Sequence, residues 1–241
     1  MKMIINKKAA SSLEVIISFV IFIGFIFFLF LIFPVSNTEK SKVGIDAAES
    51  GIMNFSSSSL VYFTVLFNET AINEGNLNGC FKFSPDITLG NVSVLDENDT
   101  RIEALTIDNE IVINGLERFY QIYSSSDIER GDFQDWEYND CNEIDKRDFK
   151  LSLVRENSVI SYNKIALLSE AYSFRYNSLI SDFNIPSREN FGYSLREING
   201  EIIIEAMKKK ASRNVIARDL PVQILYGNGS LKYAILHIEE W

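Results

Sequence analysis

The sequence predicts an α+β chain: a long N-terminal hydrophobic helix followed by an antiparallel β-rich domain that carries one additional helix. Three observations predict it. Residues 15–33 (VIISFVIFIGFIFFLFLIF) hold no charge over nineteen positions, and at 1.5 Å per residue a helix of that length comes close to the roughly 30 Å of a bilayer's hydrocarbon. From SSSSLVYFTVLF onward the apolar period shortens to two, the spacing of half-buried strands. One later window, SYNKIALLSEAYSFRYNSLISDF, returns to helical spacing.

The first element is a short basic start, residues 1–9, with Lys2, Lys7 and Lys8. The apolar run after it is longer than the roughly 7–15 residues of a secretory signal, and FPVSNTEK beyond it lacks a small-residue cleavage pattern of the A-x-A kind. The run is therefore expected to stay on the chain as a transmembrane segment. By the positive-inside tendency the lysines keep the N-terminus cytoplasmic and place residue 35 onward outside, a single-pass membrane protein in contact with lipid. Ile45, Ala48, Ile52 and Phe55 fall on one helical face. The helix is thus expected to span residues 10–55, with Pro34 as a kink rather than an end.

Residues 56–241 form the expected extracellular β-rich domain. Phe63, Val65 and Phe67 alternate with Tyr62, Thr64 and Leu66, and RIEALTI and EIVINGLERFYQIYSS also read as strands. GDFQDWEYNDCNEIDKRD reads as a polar loop. The second helix is expected over about residues 163–183, with Ile165, Leu168, Tyr172, Tyr176, Leu179 and Phe183 as its core stripe and Ile185-Pro186 as its stop. Two hairpins follow, turning at Asn199-Gly200 and around Asn228-Gly229.

Composition narrows function more than any single motif. Beyond residue 34 there are 20 basic against 32 acidic residues, a net charge of −12, which argues against nucleic acid as a partner and suits a solvated surface. Cys80 and Cys141 are the two cysteines; a disulfide between them would close a loop of about 60 residues, worth about 4 kcal/mol by chain entropy. With one distant histidine they are too few for a structural zinc site. Asp132, Asp135, Asp140 and Asp145 lack the ordered spacing and twelfth-position glutamate of a calcium-binding EF-hand loop. The sole histidine, His237, belongs to no recognisable triad, and nucleotide, zinc-protease and hydrolase motifs are absent. No enzymatic activity, metal or cofactor is expected. N-x-[ST] triplets at Asn54, Asn68, Asn91, Asn98 and Asn228 are candidate glycosylation sites, although turn chemistry also explains Asn228.

The start of the chain carries the most specific pattern. Lys7-Lys8-Ala9, then Ala10-Ser11-Ser12-Leu13-Glu14, then the apolar run, resembles the class III signal peptide of archaeal and bacterial type IV pilins. The resemblance implies cleavage by a prepilin peptidase between Ala9 and Ala10, which puts Glu14 at the fifth mature position. It also implies an assembly role in which Glu14 pairs with the new amine of a neighbouring subunit as the helices pack into a filament. The partners so implied are the prepilin peptidase and other pilin-like subunits. The stretch IPSRENFGYSL and the ending LKYAILHIEEW are similar to archaeal membrane-anchored pilin-like proteins and imply no activity. The expected function is a minor or accessory pilin-like structural subunit of a surface filament. The alternative is a single-pass surface protein that displays a binding domain and never polymerises.

Overall fold

Among the described residues strands hold more of the chain than helices do. The computed structural model describes residues 7–32, 38–69, 79–115, 117–130, 141–208 and 215–241. It has two compact units, Met1–Lys42 and Val43–Trp241.

The first unit contains helix α1 (Lys7–Ile32) and the opening residues of α2 (Thr38–Ser56). Pro34, the expected kink, lies outside the described residues. The transmembrane expectation for residues 15–33 is corrected: among the described residues no helix is long and apolar enough to cross a membrane. The expected α+β class, built on a long hydrophobic N-terminal helix, gives way to a mostly β fold. The single-pass placement, with a cytoplasmic N-terminus and an extracellular domain, falls with it.

The second unit is built on a ten-stranded sheet. Its strands are β1 (Ser57–Phe67), β3 (Asn91–Leu95), β4 (Arg101–Ile102), β7 (Phe119–Ser125), β9 (Phe149–Leu151), β10 (Arg155–Ser161), β11 (Phe191–Glu197), β12 (Ile202–Ala206), β13 (Ile216–Leu225) and β14 (Leu231–Glu240). The order is β12-β11-β14-β13-β10-β1-β7-β3-β4, with β9 also paired to β1. A second sheet of four strands runs β5-β6-β2-β8, using β2 (Cys80–Phe83), β5 (Ala104–Ile107), β6 (Glu110–Asn114) and β8 (Asn142–Glu143). Among the described residues pairing is antiparallel except at two places. β10 meets β13 in parallel at Ile160 and Ser161, and β2 meets β8 in parallel at Phe81 and Lys82.

Register places the cores. Paired residues point the same way and neighbours along a strand point opposite ways, so Ile160, paired with both Ser57 and Ile224, shares a face with Phe63, Val65 and Phe67. One end of that face is covered by α2 and α3 (Tyr162–Asp182), which bury Ile45, Ala48, Ile52, Ile165, Leu168, Tyr172, Tyr176 and Leu179 against Phe191, Tyr193, Leu195, Leu236 and Ile238. At the other end Phe63, Val65 and Phe67 pack with Phe81, Phe83, Tyr120 and Phe149. Phe67 stands edge-on to Phe81 and Phe83, with ring centres at 4.8 and 5.2 Å, an arrangement the aromatic quadrupole favours. On the opposite face Leu60, Ile128, Val159 and Leu225 form a smaller cluster.

Local chemistry sets the element ends. α3 starts where the Ser161 hydroxyl accepts a hydrogen bond from the Lys164 N–H at 3.4 Å. α2 runs straight into β1, and the Ser56 hydroxyl donates back to the Ile52 carbonyl at 2.7 Å. Phe55, expected on the buried stripe, is 40% exposed at this junction. Gly200 and Gly229 hold φ of +91° and +81° in the two late hairpins, the left-handed region open to glycine. Pro221 lies in β13 outside the two residues that pair with β10, so its missing N–H costs no ladder bond on that side.

Candidate functional site

Lys7, Lys8, Ala9, Ala10 and Glu14 all fall in the first turns of α1. Their backbone is helical, and their side chains lie outside the described ones. The Ala9–Ala10 bond lies in the first turn of α1. Farther along, α1 is apolar and uncovered. Ten large apolar side chains from Ile16 to Phe28 are between 38% and 67% exposed.

Cys80 and Cys141 form a disulfide. It lies beside Leu105 and Val112 and ties β2 to the residue before β8. Asp132, Asp135 and Asp140 lie outside the described residues. Asp145 accepts hydrogen bonds from the Arg147 guanidinium at 3.1 and 3.3 Å, which hold its carboxyl below the ordinary range. No group of three or more histidine, cysteine or acidic side chains that could hold a metal occurs among the described residues.

The sequon asparagines occupy different surroundings. Asn54, Asn68, Asn98 and Asn228 are exposed, whereas the Asn91 amide donates to the Ile128 carbonyl at 2.7 Å and is half-buried. Asn228 Oδ1 accepts from the Ser230 N–H at 3.0 Å and from the Ser230 hydroxyl at 2.7 Å. The hairpin turn thus uses the oxygen and leaves the amide nitrogen outward.

That hairpin tip separates two open grooves of about 400 Å³ each. One is lined by Asp99, Arg101, Tyr123 and Ser230, the other by Glu129, Tyr162, Tyr226 and Lys232. Their polar groups are largely engaged within the chain. Asp99 accepts from Gln121 at 3.1 Å, Lys232 pairs with Glu197 at 3.3 Å, and Tyr162 stacks on Tyr226 at 5.0 Å. Neither groove offers converging free donors and acceptors of the kind that select a ligand.

Two acidic constellations escape motif reading. On one face of β14, His237 lies between Asp219, 2.5 Å from Nδ1, and Glu239, 3.0 Å from Nε2. On the other face, Glu240 is 4% exposed and meets Glu189 beneath Gly44 of α2. Strand alternation was the available signal for Glu240, because Ala234, Leu236, Ile238 and Glu240 share the inner face. Glu189 enters from the connection before β11, where no periodicity speaks. No family model, no curated protein and no solved structure matches the chain.

Proposed function

We propose that the chain is a type IV pilin-like structural subunit, of the minor or accessory kind, that is cut between Ala9 and Ala10 and assembles through α1 into a filament. The exposure of α1 carries this reading. A continuous apolar surface from Ile16 to Phe28 calls for a partner, because contiguous exposed apolar patches of this size mark interaction sites. Sister helices supply the simplest cover: each large apolar side chain moved from water into a packed bundle contributes about 1.5–3 kcal/mol.

Glu14 fits the same scheme. Cleavage creates an amine at Ala10, and pairing that amine with a neighbour's Glu14 would offset the cost of burying either charge among apolar helices. An unpaired charge there would oppose assembly, so the pair favours one axial register over others. The acidic domain stays hydrated outside the bundle.

The test is incorporation of a Glu14→Ala subunit into filaments, scored by electron microscopy of cells that carry a prepilin peptidase. The folded domain should persist while incorporation falls steeply. Incorporation at the unsubstituted level would count against the pairing.

A further inference from the structure

Glu189 and Glu240 pose a problem of charge that the fold leaves visible. Glu240 ends β14 on the helix-covered face, opposite Phe191 of β11 and Ile216 of β13. One residue on, Asn190 and Trp241 exchange backbone hydrogen bonds of 2.9 and 3.0 Å, which draws Glu189 alongside Glu240. Both carboxyl groups close on Gly44 of α2: a Cβ at that position would collide with Glu189 Oε2 and with Glu240 Oε1. The Oε2 atoms of both residues are buried and have no hydrogen-bond partner among the described residues.

Among the described residues no cation pairs with either carboxyl group. Asp46 and Glu49 of α2 are acidic, and Arg218 of β13 is committed to them, 2.8 Å from Asp46 and in contact with Glu49. Arg188, beside Glu189, is exposed. Glu239 and His237 belong to the other face of β14 and pair with each other. β11 brings only Phe191 across from Glu240. Two facing carboxylates cannot both remain ionised in such a place without a large penalty.

We propose that Glu189 and Glu240 share one proton and act as an acid-closed latch that holds α2, at Gly44 and Ile45, against the end of the large sheet. The shared proton turns a repulsive contact into a carboxyl–carboxylate hydrogen bond. The Glu240 carboxyl lies against Gly44, next to Ile45, so the shared proton steadies that part of the helix.

Burial first, and the Glu189 charge second, raise Glu240 from 4.5 to about 7. The folded chain therefore binds a proton that the unfolded chain releases, so the latch is complete in acid and is lost as pH rises through about 7. Nothing in the latch depends on whether filaments form.

Amide hydrogen exchange of the full chain, read by mass spectrometry at residues 44–48 and corrected for the intrinsic pH effect, tests it. From pH 5.5 to pH 8 protection should fall about tenfold or more, since one unit of carboxyl shift is a factor of ten. Glu240→Gln and Glu189→Gln should each reduce that fall to within about twofold of flat. His237→Asn should leave it as in the unsubstituted chain. Protection that is flat with pH in the unsubstituted chain would overturn the latch, whether or not the glutamine variants fold. So would a pH response that survives both glutamine substitutions or disappears with His237→Asn.

Discussion

Helices α1 and α2 follow one another in the sequence and treat their apolar side chains in opposite ways. In α2, Ile45, Ala48 and Ile52 are at most 1% exposed, covered by α3 and the large sheet. In α1, Ile16, Phe19, Phe22 and Phe27 are 60–67% exposed. The difference lies in periodicity. α2 alternates an apolar stripe with charged and polar residues, so one cover suffices, whereas α1 is apolar on every side and needs neighbours all round. A helix of the first kind completes a fold; a helix of the second kind asks for a bundle.

Substitutions can break or sharpen that contrast. Phe22→Lys should have the largest effect, abolishing self-association measured by sedimentation while leaving the thermal midpoint of the folded unit unchanged, because a lysine among packed apolar helices is desolvated without a partner. A fall in that midpoint would mean that α1 supports the fold. Joint Cys80→Ser and Cys141→Ser substitution should lower unfolding free energy by about 4 kcal/mol in denaturant titrations, through the lost cross-link of a 61-residue separation, and leave assembly intact at temperatures where the unit stays folded. Ile52→Ala should cost about 3 kcal/mol by the same measurement, as a cavity beneath α2. Tyr172→Phe should cost only about 1 kcal/mol. Its hydroxyl donates to the Phe191 carbonyl at 2.6 Å, but the Tyr176 hydroxyl also reaches that carbonyl at 3.3 Å.

What was legible in the sequence was what is local. The stripe from Ile165 to Leu179 is the buried face of α3, and Asn199-Gly200 and Asn228-Gly229 turn the late hairpins because glycine accepts their backbone angles. Pairings across long separations left no local trace. β8 joins β2 in parallel through Asn142 opposite Phe81, and β13 joins β10 through Ile224 opposite Ile160. An expectation of antiparallel strands alone could not contain either of them. The apolar run was legible as a helix, but length and hydropathy alone suggested a bilayer where the described helix does not meet that requirement. The site divides along the same line. Lys7 to Glu14 stand out as a contiguous pattern, whereas Glu189 and Glu240 meet only after the sheet has formed.

As a processed assembly helix, α1 would begin at a new N-terminus, which mass spectrometry reads. Intact-mass and N-terminal peptide measurements on the chain made in cells with an active prepilin peptidase should find Ala10 as the first residue, with the uncut form retained when that peptidase is absent. A chain that still carries Lys7 and Lys8 in the presence of the peptidase would contradict the account.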